Sequence, residues 1–195
     1  MRRTFAGKKE TSEIMIYQIK VRLSESKPPI WRRVLVPGDL TLARLHDIIQ
    51  AVMGWWDYHL HQFKVGDAFY GVPHPDYMFD MLDERQVRLN EIASEGSKFL
   101  YEYDFGDSWW HVLQVEKVLE PEPGQVYPVC IKGRRAAPPE DSGGIWNYNY
   151  YAEAMENPEH PDYPGDDEFL EWVGDEFDPA AFDLDEVNAA LRKLR

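Results

Sequence analysis

A chain of 195 residues that is 44% hydrophobic and 14% aromatic carries enough apolar side chain to fill a core, which excludes an intrinsically disordered protein. Its one cysteine, Cys130, excludes an internal disulfide framework and any metal site built from cysteine alone. The formal net charge of −14 is uneven: residues 140–195 hold 16 acidic and 3 basic side chains, residues 1–139 hold 19 and 18, so the acidity belongs to the C-terminal quarter. Phosphate contacts dominate nucleic-acid affinity, so this balance disfavours bulk DNA binding. No apolar run approaches the roughly 20 residues of a membrane helix, and Met1–Lys9 is not followed by the apolar stretch of a secretory signal. A soluble, cytoplasmic protein with no membrane association is expected.

Residues 1–13 show no periodicity and read as a flexible N-terminal arm, with Met15 a candidate start. From Met15 to Leu23 apolar and polar residues alternate as in a half-buried strand, and Ile30–Val36 follows as its hairpin partner. Leu42, Leu45, Ile48, Ile49 and Val52 recur at helical spacing, which predicts a helix over 41–53 with Asp39 or Thr41 as N-cap and Gly54 as stop. His46 falls off that stripe and is expected to face solvent. Alternation over His59–Val65 predicts a third strand, with His59, His61, Phe63 and Val65 on one face. Residues 71–83 read as a loop and Val87–Ile92 as a short helical turn. Lys98–Tyr103 and Trp109–Leu119 are the fourth and fifth strands, joined by a tight loop over Asp104–Ser108, and Val126–Ile131 is a candidate edge strand. Beyond Gly144 the chain reads as three acidic helices, the last capped by Asp183 with Glu186.

The expected architecture is α+β: a mixed, mostly antiparallel sheet of about five strands, β-grasp-like at its start, with one main helix packed on it. A single domain is expected over 14–195, divided into a sheet-and-helix core at 14–139 and an acidic helical segment at 140–195.

Three constellations carry chemistry. His59 and His61 on one strand face, with Asp104, Asp107 and His111 around the hairpin, form a candidate metal set; mixed imidazole and carboxylate ligands suit zinc, manganese or iron. Glu140 or Asp141 would complete the shell or act as a general base on bound water. Cys130 with His111 is a candidate thiolate pair. Arg32, Arg33, Arg134 and Arg135, together with Trp55, Trp56, Trp109 and Trp110, form a candidate binding surface for a phosphate, a nucleic acid or a protein. Against these stands a structural reading, in which the aspartates stabilise their loop and the histidines and tryptophans belong to the core.

Five motifs run in the same order as in a known family: Lys27-Pro28-Pro29-Ile30-Trp31-Arg32-Arg33-Val34; Leu45-His46 to Met53-Gly54-Trp55; His59-Leu60-His61-Gln62-Phe63; Tyr103-Asp104-Phe105-Gly106-Asp107 to His111; and Pro138-Pro139-Glu140-Asp141 with Gly143-Gly144. Over roughly residues 14–190 the chain resembles plasmid pRiA4b ORF-3-like proteins. The resemblance implies a compact α+β domain of bacteria and archaea, without an established biochemistry, and a link to plasmids and mobile elements. Some members carry names suggesting a transposon resolvase, but this acidic chain lacks the basic DNA-binding domain such an enzyme needs. Many relatives have a second cysteine near Glu140-Asp141, where this chain has Ser142. The expected function is a non-catalytic interaction module that recognises a protein or nucleic acid through an aromatic groove; the alternative is a metal-dependent hydrolase with zinc or manganese on the His/Asp cluster.

Overall fold

A computed structural model describes residues 14–74, 80–163, 167–174 and 177–194; the expected arm over 1–13 lies outside the described residues. The α+β class holds, but the strand count does not. One mixed sheet of eight strands forms among the described residues: β1 (Ile16–Leu23), β2 (Trp31–Pro37), β3 (His61–Val65), β4 (Ala68–Gly71), β5 (Met81–Asp83), β6 (Lys98–Tyr103), β7 (Trp109–Leu119) and β8 (Val129–Arg134), in the order β5-β4-β3-β6-β7-β1-β2-β8. The expected set omits β5, places Phe69-Tyr70 only as a short segment, and counts the 126–131 stretch only as a candidate. β4 and β5 have four and three residues, too few to display an alternation. β5 exists because it pairs in parallel with β4, which is a tertiary fact. The β-grasp-like start is also corrected. That topology centres on a parallel pair, whereas β1 runs antiparallel to both neighbours, β2 and β7.

The register explains the core. Val21 lies opposite Leu113 and Arg32, Ile19 opposite Val34 and Val115, Phe99 opposite Leu113, and Tyr101 opposite Phe63 and His111. Because side chains alternate along a strand, these residues share one face, and all of them are buried. The helix α1 (Leu42–Met53) belongs to the same core. It is capped by Thr41, whose hydroxyl accepts from Arg44 N, and stopped by Gly54 in the left-handed region. The opposite face of the sheet is polar: Gln18 and Arg33 both donate to Glu116 there.

The remaining helices are α2 (Leu89–Ile92), α3 (Gly144–Glu156), α4 (Asp167–Val173) and α5 (Leu184–Lys193). α3 grips the β1–β2 turn through Asn149, which accepts from Lys27 N and donates to Glu25 O. Asp183 caps α5 by accepting from Asp185 N and Glu186 N. No helix among the described residues is long and apolar enough to cross a membrane.

Arg32 is part of this frame rather than of a binding surface. It is 3% exposed, its Nε donates to Val52 O near the end of α1, and its Nη1 donates to Trp31 O and Arg134 O. Its guanidinium stacks on Phe182, and burial draws its pKa down to about 10. One side chain thus ties together α1, β2, β8 and the approach to α5. Arg32→Met keeps the bulk but removes these donors. It should lower unfolding free energy by about 2–4 kcal/mol in a urea titration, as expected for orphaned buried carbonyls.

Candidate functional site

Past Gly54 the chain does not pass straight into β3. Trp55 turns inward, stacks on Tyr103 with ring centroids 5.0 Å apart, and donates its indole N–H to Pro138 O at 2.8 Å. The Tyr103 hydroxyl donates to Glu140 Oε1 and accepts from Tyr58 N at 3.0 Å; Glu140 Oε2 accepts from Trp56 N at 2.9 Å. Burial and the adjacent Glu140 carboxylate push the Tyr103 pKa up, so the phenol keeps its proton and remains the donor. Three stretches far apart in sequence, 55–60, 103–108 and 138–144, are fastened here.

The hairpin loop between β6 and β7 supplies the next layer. Asp104 and Ser108 both have positive φ, and Asp104 Oδ1 accepts from Gly106 N at 2.9 Å in an Asx-type turn. Asp107 Oδ2 accepts from Gly143 N at 2.9 Å, and burial raises the Asp107 pKa. Gly144 sits at φ +82°, and a Cβ there would lie 2.8 Å from Asp107 O. A glycine is therefore required for α3 to start this close to the hairpin.

These contacts bring His59, Asp104 and Asp141 together. His59 Nε2 lies 3.1 Å from Asp141 Oδ1 and 3.8 Å from Asp104 Oδ2. Asp104 is buried and Asp141 exposed. His61, expected on the same face, goes elsewhere: β3 begins only at His61, and its Nε2 donates to buried Glu84 at 2.8 Å. Its ring stacks on His46, with centroids 3.5 Å apart and planes 8° from parallel.

His46 itself is 4% exposed, not solvent-facing, because α1 buries a flank of polar residues as well as its apolar stripe. Its Nε2 meets Asp57 Oδ1 at 3.0 Å and its Nδ1 meets the Tyr101 hydroxyl at 2.8 Å. Gln50 joins this network, donating to Tyr101 and accepting from Asp57 N. An ionised Asp57 only accepts, so His46 Nε2 carries the proton and Nδ1 accepts from Tyr101.

The other expected site residues do not join the His59 cluster. His111 is fully buried, and its Nδ1 donates to Trp109 O at 2.9 Å. Asp107 holds the loop. Cys130 is buried on β8, separated from His111 on β7 by β1 and β2, and burial raises its thiol pKa, so no thiolate pair forms. The basic cluster disperses: Arg33 forms a two-pronged pair with Glu116, buried Arg135 pairs with Glu156, and Arg134 alone is exposed. Trp55 and Trp109 are buried and Trp110 is half-buried, which leaves Trp56 as the exposed member of the tryptophan set, at 73%. Sequence reasoning overlooked Tyr103, Tyr101, Asp57, Glu84 and Gln50. An alternating Phe99, Tyr101, Tyr103 run was visible, but nothing in it marks which hydroxyls would find polar partners.

A model of the plasmid pRiA4b ORF-3-like protein family matches residues 15–186. The chain belongs to that family. It is 36% identical over 182 residues to the uncharacterised protein y4hQ of Sinorhizobium fredii (strain NBRC 101917 / NGR234), with 92% of each chain covered. The crystal structure of MM3350, a protein of unknown function from Methanosarcina mazei Go1, is similar with a TM-score of 0.79 at 37% identity, over 90% of this chain and 98% of that one. This pRiA4b ORF-3-like chain therefore shares its fold with the archaeal protein over 90% of its length, and its sequence similarity to the bacterial one extends over 92% rather than over a single motif.

Burial lowers the pKa of both His46 and His111 to about 3, from an ordinary value near 6.5. Both are neutral when folded and take up a proton on unfolding below pH ~6.5, so stability is full above that value and falls as the pH drops toward 3. His111→Gln keeps a donor for Trp109 O but cannot titrate. Its stability should fall less steeply with acidification than the parent's, by up to ~1.4 kcal/mol per pH unit between pH 6 and 4, measured by urea unfolding.

Proposed function

We propose that this protein is a non-catalytic interaction module whose binding surface is the aromatic rim around the Tyr103–Glu140 junction, and that its partner is a protein segment rich in arginine and lysine. The observation that carries this reading is exposure. Trp56, Tyr58 and Trp146 are 73%, 74% and 72% exposed, and Leu60, two residues after Tyr58, and Phe105, on the β6–β7 hairpin loop, are exposed as well. The segments that bear them are bonded to one another, by Trp56 N and Tyr103 to Glu140, by Tyr58 N to Tyr103, and by Asp104 N to Leu60 O. Monomeric proteins rarely concentrate large apolar side chains this way unless something covers them. Tryptophan and tyrosine are enriched where binding energy concentrates.

The polar groups among these aromatics, Asp104, Glu140 and Asp141, are acidic. A cationic side chain gains from both the ring faces and the carboxylates, whereas a phosphate is repelled. This favours a basic protein segment over nucleic acid. The dispersal of Arg32, Arg33 and Arg135 into internal bonds supports the same choice. The link to mobile elements rests on the family's description and draws on no residue here.

The hydrolase reading is favoured by one observation, the meeting of His59, Asp104 and Asp141. Glu140 does not serve it as a base, because both carboxylate oxygens already accept bonds, from Tyr103 and from Trp56 N. We therefore rank it second.

Titration of the full chain with an arginine-rich peptide and with a single-stranded oligonucleotide, followed by fluorescence anisotropy of the labelled probe, separates the readings. The peptide should bind and the oligonucleotide should not. Trp56→Ala/Tyr58→Ala should weaken peptide binding about tenfold or more while leaving stability within about 0.5 kcal/mol, since both side chains are exposed. Equal binding of the oligonucleotide, or no effect of the double substitution, would contradict the proposal.

A further inference from the structure

Among the described residues, two groups of imidazole and carboxylate side chains lie close enough to share an ion, His46 with Asp57 and His61, and His59 with Asp104 and Asp141. They differ in kind. In the first, each imidazole has protein partners: Tyr101 and Asp57 for His46, and Glu84 for His61. Its two rings are stacked and nearly parallel. Nitrogen lone pairs lie in the ring plane, so parallel rings do not aim them at one point between them. That group is a closed hydrogen-bond network.

The second group is open. His59 Nε2 is shielded from solvent yet makes no hydrogen bond, although Asp141 Oδ1 is only 3.1 Å away. The nitrogen is therefore not aimed at that oxygen. Buried polar atoms are nearly always partnered, and an exception calls for an explanation. Asp104 is preset for the same role: its Oδ1 is fixed by Gly106 N, which leaves Oδ2 turned to the histidine at 3.8 Å. In the tautomer that leaves Nε2 unprotonated, its lone pair faces two carboxylate oxygens, an arrangement that a cation among them stabilises. Ligands at ~2.0–2.2 Å from one ion sit roughly 3–4 Å apart, which is the spacing from His59 to each aspartate.

We propose that His59, Asp104 and Asp141 form a divalent-metal site. The donor set of one imidazole and two carboxylates, without thiolate, suits a borderline ion such as zinc or manganese. Three protein ligands, with Asp141 at the solvent edge, leave coordination positions for water or for a group from a bound molecule. The adjacent Tyr103–Glu140 pair fixes the segments that carry all three ligands. The metal site shares Asp104 and Asp141 with the peptide-binding surface proposed above, but it is tested by titrating metal into the free protein, so its failure and the failure of peptide binding are read separately.

The full-length protein, stripped with a chelator and dialysed, is titrated with zinc chloride and separately with manganese chloride by isothermal calorimetry. At least one of the two should bind at one ion per chain and raise the melting temperature. His59→Ala should abolish that binding. Asp141→Asn changes an exposed side chain to one of the same shape, so it should leave the metal-free melting temperature unchanged and weaken the ion at least about tenfold. Binding retained in both variants, or lost instead in His61→Ala, would move the ion elsewhere and overturn the assignment. Absence of stoichiometric binding of either ion to the parent protein would overturn it outright.

Discussion

The phenol of Tyr103 is the joint on which the site depends. It comes from the end of β6, opposite His61 and Trp109 in the sheet, so its position is set by the ladder before any loop is considered. Its hydroxyl then fixes two loops at once, Tyr58 N on one side and Glu140 on the other. Trp55, stacked on its ring, adds a third tie through Pro138 O. No strand pairing connects the 55–60 and 138–144 segments; they meet through Tyr103 and through the direct bonds of Trp55 to Pro138 O and of Trp56 N to Glu140. A sheet residue thereby carries the order of the core out to surface side chains, as a functional site on loops requires.

The interior beside this joint is unusually polar. His46, Gln50, Glu84, Tyr101 and His111 are all buried within or against the core. Most of that polarity is balanced internally. The His46, Asp57, Gln50 and Tyr101 network satisfies each member in a single tautomeric arrangement, and Glu84 accepts a hydrogen bond from His61. A satisfied buried network fixes a unique packing, whereas a single unpartnered atom is costly. Gln62 Oε1, Trp109 Nε1 and His111 Nε2 are also buried without a partner; what sets His59, two residues from His61 in sequence, apart is that its nitrogen lies 3.1 Å from one aspartate and 3.8 Å from another and bonds to neither.

Much of the frame was legible in the sequence because it depends on local patterns. The alternation of Met15–Leu23 and Trp109–Leu119, the stripe and Gly54 stop of α1, and the Asp183 cap are all read within a few residues. β5 was not legible, since three residues carry no period. His46 was misread because a helix stripe reports apolar burial and says nothing of a polar flank buried against partners 55 residues away at Tyr101. The hairpin aspartates were found, but their roles were not. Asp104 faces the histidine and Asp107 holds Gly143, a division set by the approach of α3. The arginines looked like a basic patch because sequence does not show that Arg32 points into the core and Arg33 at Glu116. What escaped was partner choice across the sheet.

The most direct test of this account is a double-mutant cycle on the joint itself. Unfolding free energies of the parent, Tyr103→Phe, Glu140→Ala and the combined variant, measured in urea at pH 7, give the coupling between the two side chains. If the phenol and carboxylate hold the loops together, the interaction energy should be about 1 kcal/mol or more, the double variant being destabilised less than the sum of the two single variants by that amount. Additive effects, within about 0.3–0.5 kcal/mol, would mean that the two groups do not act on each other and that something else assembles the site.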